Sequence, residues 1–235
     1  MSALPMGHVP LDIDVFTMDN SGTKKKGVSR TYQGYDGYAP IAAYLALEGW
    51  LLEIEHREGS QHSQKNFVPF LARVLHKALA LTAAPLLVRL DSAHDAWETR
   101  IELEGWWTTL DLSAEKIIAL YQDHGTSEQF HSELKTDMDL ERLPSGKFEV
   151  NSLVMSCAAL AYNILRYIGQ LGLLGDKTPV RHGAKRRRLK TVMQELMYLA
   201  ARLIETGRRL RLRFSRHSGL NFEAFAGVYR RLAYG

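Results

Sequence analysis

Leu11, Ile13 and Val15 alternate with Asp12, Asp14 and Phe16. Period-two alternation predicts a strand with both aspartates on one face. Residues 19–38 are rich in Gly, Lys, Asp and Tyr and read as a long loop. Ile41–Leu47 and Trp50–Ile54 are apolar runs split by Glu48-Gly49, a hairpin pattern. Phe67, Phe70, Leu71, Val74, Leu75 and Leu79 recur at helical spacing, so a helix is predicted over 67–80. Pro85 opens Leu86–Leu90, a short strand of the buried type that stops at Asp91. Ile101–Trp107 reads as one more strand. Ser113–Tyr121 reads as a helix with Ser113 and Glu115 at its start, and Thr126 can cap a second helix that holds Glu128, with Gly125 as the break.

Downstream the pattern is helical. Residues 149–171 are apolar nearly all round, which predicts a buried helix. Val192, Leu196, Leu199 and Leu203 form an apolar stripe, predicting an amphipathic helix over 190–206. Arg208–Phe214 alternates Arg and Leu like a strand, and a last helix is expected over 222–232. The order implies an α/β domain followed by a helical end. We place the boundary between 1–175 and 176–235.

Composition adds three constraints. Hydrophobic residues make up 46% of the 235, enough for a sizeable core. The net charge is only +4, yet residues 181–216 hold 12 Lys or Arg against Glu195 and Glu205. That local excess suggests an end that binds a polyanion. Cys157 is the only cysteine, which excludes an intramolecular disulfide and a cysteine-based zinc site and fits a reducing compartment. The start, MSALPMGHVP, lacks signal-peptide features, and the longest apolar stretch, Leu153–Tyr162, is shorter than a bilayer needs. A cytoplasmic protein with no membrane partner is expected.

The segment YQDHGTSEQFHSELK, residues 121–135, concentrates the candidate chemistry. On a continuous helix Tyr121, His124, Glu128 and Lys135 would fall at about 0°, 300°, 340° and 320°, a single face. Such a face suits a place where metal ions and phosphates meet, and equally suits a solvated helix with ordinary side-chain pairs. A break at Gly125 would leave only Glu128 and Lys135 together. Asp14, Asp91 and Glu128 are three separated acids that strands and a helix can gather. Hard cations such as Mg²⁺ take carboxylate oxygens, and two ions can stabilise both oxygens of an in-line phosphoryl transfer. An aspartate at a strand end is also an ordinary turn or cap residue.

The segments LDIDVFTMDNSGTKKKGVSRTYQGYDGYAPIAAYL, REGSQHSQK, LLVRLDS and GTSEQFHSELKTDMDLERLPSGKF resemble the DDE transposases of bacterial insertion sequences, specifically DDE group one. Tyr121, His124, Glu128 and Lys135 match the spacing of that family's Tyr-Arg-Glu-Lys signature, with His for Arg. The resemblance implies a ribonuclease H-like mixed sheet with flanking helices and a basic helical C-terminal region. It implies Asp14, Asp91 and Glu128 as the catalytic, metal-binding triad. Asp12, on the same strand face about 7 Å away, is the alternative to Asp14. It further implies two Mg²⁺, with Mn²⁺ able to substitute. Lys135 would contact DNA phosphate, and Tyr121 would orient the site or touch the backbone. The implied partners are transposon ends and target DNA, with a homodimer or a dimer with full-length transposase also expected.

Two departures stand out. Imidazole at His124 lacks the planar fork with which Arg holds phosphate. Only 36 residues separate Asp91 from Glu128, where the family carries a large, mostly β insertion. The chain also starts almost at the first catalytic strand, so a preceding DNA-binding domain is not expected. A shortened transposase with impaired activity follows, the alternative being a non-catalytic DNA-binding or dimerising remnant. Lys185, Arg186, Arg187 and Arg188, with Lys190, are the best electrostatic candidates for DNA contact. Lys24–Lys26 could equally hold DNA phosphates or form a solvated loop. His62 could lie near the site, though loop hydrogen bonding is preferred. Trp106 and Trp107 could stack on bases, though core packing is preferred.

Overall fold

The computed structural model describes residues 1–90, 108–122, 126–172, 186–215 and 219–234. Asp91, the expected strand at 101–107 with Trp106 and Trp107, His124 and Lys185 lie outside the described residues.

The first half is built on one mixed sheet. Strand β1 (Val9–Val15) is followed by three short strands, β2 (Met18–Asp19), β3 (Ser29–Arg30) and β4 (Asp36–Tyr38). Then come β5 (Ile41–Leu45), β6 (Trp50–Glu55), helix α1 (Phe67–Leu81) and β7 (Leu86–Leu90). The main sheet has the order β6-β5-β1-β7, with β1 antiparallel to β5 and parallel to β7. The alternation in β1 decides its two faces. Val9, Leu11, Ile13 and Val15 pack with Phe70, Val74 and Ala78 of α1. Asp12 and Asp14 therefore face the opposite side, where Tyr44 and Ala42 are their register partners on β5. The expected loop at 19–38 instead contributes a second sheet, β2-β4-β3. Gly37 permits it, since a Cβ there would lie 2.0 Å from the Met18 carbonyl oxygen. Strand β7 is only half-buried, with Val88 exposed, and not enclosed on both faces as its composition suggests.

Two short helices, α2 (Ala114–Gln122) and α3 (Thr126–Ser132), precede a π-helical turn at Glu133–Asp137 and a 3₁₀ turn at Leu140–Arg142. The long helix α4 (Phe148–Gly172) covers the aspartate side of the sheet. It is not buried all round. Val150, Leu153, Leu160, Ile164 and Tyr167 are exposed, as is Cys157. Contrary to the sequence expectation, Phe148–Gln170 is long and apolar enough to cross a membrane by length and composition. Core helices pass the same test, and α4 packs on β6, with Asn163 exchanging hydrogen bonds with the Leu51 backbone at 2.7 and 3.0 Å.

The C-terminal part is not wholly helical. Helix α5 (Leu189–Leu196) ends well before 206, and β8 (Ala201–Thr206) pairs antiparallel with β9 (Arg209–Phe214) ahead of α6 (Gly219–Tyr234). The reason is the two-residue turn. Gly207 and Arg208 have φ of 55° and 63°, and two successive positive values suit the twist of a tight hairpin. Arg209–Phe214 then needs a partner strand, and 201–206 supplies it.

His56 stacks on Phe148 with ring centroids 4.2 Å apart, and its Nδ1 lies 3.1 Å from Ser152 Oγ. Burial pulls its pKa from 6.5 to about 4, against a smaller opposing effect of the Phe148 backbone. The unfolded chain thus takes up this proton first, so stability should be full above about pH 6.5 and fall as pH drops toward 4. Urea midpoints between pH 7 and pH 4.5 should show the decline, and His56→Phe should flatten it.

Candidate active site

The two strand aspartates have different surroundings. Asp12 is buried and lies beside its register partner Arg89, whose Nε and Nη2 reach its two oxygens at 2.5 and 2.7 Å. The same guanidinium donates to the Leu120 carbonyl at 3.1 Å, tying α2 to the sheet. Asp14 is partly exposed. Its Oδ1 accepts the Val15 N–H at 2.7 Å, and its Oδ2 lies 3.1 Å from His131 Nε2 on α3.

His131 is held from three sides. Its Nδ1 lies 3.1 Å from the Tyr44 hydroxyl, and its ring stacks on Phe16 at 4.6 Å. Burial, followed by the nearby Tyr162, Glu133 and Asp14, keeps the Tyr44 pKa well above the phenol's ordinary value. Tyr44 therefore stays a phenol and can donate to Nδ1, which leaves Nε2–H to donate to Asp14. Sequence reasoning passed over His131 because one histidine on a helix carries no signal without its partners. The neighbouring Phe130 seats α3 on the β5–β6 turn. Gly49 there has φ of +71°, and a Cβ on it would lie 2.2 Å from the Phe130 ring.

Glu128 is exposed, three residues before His131 on the same helix, and so one turn from the group that touches Asp14. Tyr121 lies on α2 and Lys135 in the π turn, so the expected common face is not one continuous described helix. The Met138 N–H bonds the Glu133 carbonyl at 3.0 Å, five residues back, and this wider turn rotates Lys135 from its α-helical position. Lys135 Nζ sits 3.3 Å from Glu141 beside an open cleft of about 710 Å³, also lined by Asp19, Lys25 and Asp139.

The π turn also carries a buried ionic cluster that the apolar reading of α4 missed. Arg166, 1% exposed, donates to Glu133 and to the Tyr162 hydroxyl, and Glu133 Oε1 accepts the Leu189 N–H at 3.2 Å. The basic run is drawn into the same region. Arg186 lies over the Phe130 ring at 4.3 Å and donates to Gln129 at 2.6 Å. Burial, and then the Arg166 charge, lower its pKa. Arg187 pairs with Glu195 at 3.3 Å, and Arg188 forks onto Asp137 at 2.9 and 3.0 Å. Of the remaining candidates, Lys26 pairs with Glu149, Lys25 donates to Asn20 and Leu143, and His62 Nδ1 accepts the Gln64 N–H.

Among the described residues no group of three or more His, Cys, Asp or Glu side chains could hold a metal ion. Asp14 and Glu128 offer the hard oxygen donors that Mg²⁺ takes, on two elements joined by His131.

The family model of the transposase DDE domain, group 1, matches residues 106–233, more than half of the chain. The chain belongs to this family. Transposase DDE domains act on DNA in transposition and generally use a divalent metal. The match contains Tyr121, Glu128, Lys135 and Arg186–Arg188 but neither Asp14 nor Asp91, so the resemblance read in the first 105 residues lies outside it. No curated protein and no solved structure matches the chain.

His131→Ala should leave the buried Tyr44 hydroxyl without this partner and remove a donor from Asp14. We expect a loss of about 1–3 kcal/mol in urea unfolding. Tyr44→Phe, which removes only the hydroxyl, should cost less. Arg166→Ala should cost more, about 3–5 kcal/mol, because Glu133 would keep its buried charge without its guanidinium.

Proposed function

We propose that this chain is the catalytic core of an insertion-sequence transposase, with a ribonuclease H-like fold and with Asp14, Asp91 and Glu128 as its metal-binding triad. The observation that carries the reading is the 3.1 Å contact between His131 and Asp14, which brings the helix of Glu128 onto the central strand. The register supports it. Leu90 pairs with Ile13, and the residues that follow them in sequence are Asp91 and Asp14. Asp14 is preferred to Asp12 because Arg89 already neutralises the Asp12 carboxylate.

Two Mg²⁺ held by these carboxylates would supply in-line hydrolysis at a transposon end and then strand transfer. The chain's own part is positional. His131 fixes the Asp14 carboxylate, α3 presents Glu128 toward solvent, and Lys135 lies where a phosphate could replace Glu141. Positioning is also where this core is weak. The span between Asp91 and Glu128 is short, and position 124 has an imidazole. Small misplacements of a scissile phosphate cost orders of magnitude in rate.

The purified chain should therefore cleave end-containing DNA very poorly in Mg²⁺ or Mn²⁺, measured against Glu128→Ala as background. His124→Arg should help little, and restoring the insertion should help much more. Robust end-specific cleavage by the unmodified chain would overturn the shortened-core reading.

A second reading, a non-catalytic dimerising piece, is favoured by one feature of α4. Val150, Leu153, Cys157, Leu160, Ile164 and Tyr167 recur at alternating steps of three and four, all exposed and none charged. That spacing is the seam of a two-helix coiled coil, and a second copy brings the same stripe. Light scattering after size exclusion should give a dimer that Leu160→Glu converts to a monomer. A monomer in both cases would sink this reading.

A further inference from the structure

The hairpin of β8 and β9 has one strongly basic face. Strand alternation and the register, with Arg202 opposite Arg213, Ile204 opposite Arg211 and Thr206 opposite Arg209, put Arg202, Arg209, Arg211 and Arg213 on the same side. Ile204 and Thr206 are its other members, so the face carries no carboxylate. Glu205 falls on the opposite face with Leu203, Leu210 and Leu212. All four arginines are exposed, and none makes an ion pair among the described residues.

This differs from the run before α5. There Arg187 and Arg188 meet Glu195 and Asp137, and Arg186 is packed on Phe130. The hairpin's charges repel one another instead. Arg202 and Arg213 are directly opposed, and like charges in that position destabilise a ladder. A polyanion would remove the repulsion. The ribbon's shape narrows the choice of polyanion. Six residues per strand give a ribbon about 20 Å long. A two-stranded ribbon fits the B-DNA major groove, about 12 Å wide, whereas the major groove of duplex RNA is too narrow for side chains to read.

We propose that the β8–β9 hairpin is a duplex-DNA binding element, with Arg202, Arg209, Arg211 and Arg213 contacting backbone phosphates from one face. It works without the metal site and adds to the proposed function a place where DNA is held. The phosphate contacts carry no sequence preference.

The test is fluorescence anisotropy of the full chain with a labelled duplex of arbitrary sequence, titrated with salt in the absence of divalent metal. Replacing all four arginines by Gln should reduce the log–log salt slope by about 3–4 units, near 0.9 per lost phosphate contact. Each single substitution should remove about one unit, which keeps the test valid if the fourfold variant misfolds by circular dichroism. The fourfold Lys variant should keep the slope. Leu210→Gln with Leu212→Gln, on the other face, should leave it unchanged. An unaltered slope in the Gln variants, an equal loss from the leucine variants, or tighter binding to duplex RNA than to duplex DNA would each overturn the proposal. Cleavage plays no part in this readout, so a failure of the catalytic reading would leave the result standing.

Discussion

Arg166 is buried between α4 and the π turn, and a buried guanidinium must be matched in charge and in hydrogen bonds. Glu133 matches the charge, Glu133 and the Tyr162 hydroxyl accept from Nη2, and the Arg187 carbonyl accepts from Nη1 at 3.2 Å, while Nε has no partner among the described residues. Glu133 also accepts the backbone N–H of Leu189. Burial alone would make Arg166 easier to deprotonate, but Tyr162 and Glu133 more than compensate and its pKa is raised. One carboxylate thus joins the π turn, the long helix α4 and the start of α5. Helix α3 has only seven residues, too few to be stable by itself. Its position depends on this anchor just past its C-terminus and on Phe130 packed against Gly49. Because α3 carries both His131 and Glu128, the geometry around Asp14 is set by contacts remote from the carboxylate.

The π turn has a consequence for the signature residues. Seven residues separate Glu128 from Lys135, and in an α-helix they would nearly superimpose. The wider turn places Glu133 inward, where Arg166 needs it, and leaves Lys135 at a cleft facing Glu141. A residue spacing read from sequence assumes one helical pitch throughout. Here the pitch changes between the two residues being compared.

That is the general boundary of what was legible in the sequence. Strand β1 and helix α1 were legible because each buries one periodic face, and β5, β6 and β7 because they are short apolar runs bounded by turn residues; period and run length are local properties. The sheet of β2, β3 and β4 was not, since strands of two or three residues show no period and are fixed by contacts such as Gly37 on Met18. Val192, Leu196, Leu199 and Leu203 kept a helical spacing across the end of α5, and only pairing with β9 makes the last of them part of a strand. Asp12 and Asp14 share a face, so alternation could not separate them. Their difference comes from Arg89 on β7 and His131 on α3, 77 and 117 residues away.

The basic C-terminal segment obeys the same logic. Charge counted along the chain treats every arginine between 181 and 216 alike. In the fold the described ones divide by what faces them. Those before α5 meet Asp137, Glu195 and the Phe130 ring, so their charge holds α5 against the π turn and is largely neutralised in place. On the hairpin, Arg202 and Arg213 oppose each other across the ladder, Arg211 and Arg209 oppose Ile204 and Thr206, and none of the four pairs with an acid among the described residues, so their charge is directed outward. An electrostatic field at distance is set by what remains after local pairing. Among the described residues, the alternating arginines of the ribbon therefore carry outward charge that the run before α5, although denser in sequence, has largely lost to its partners.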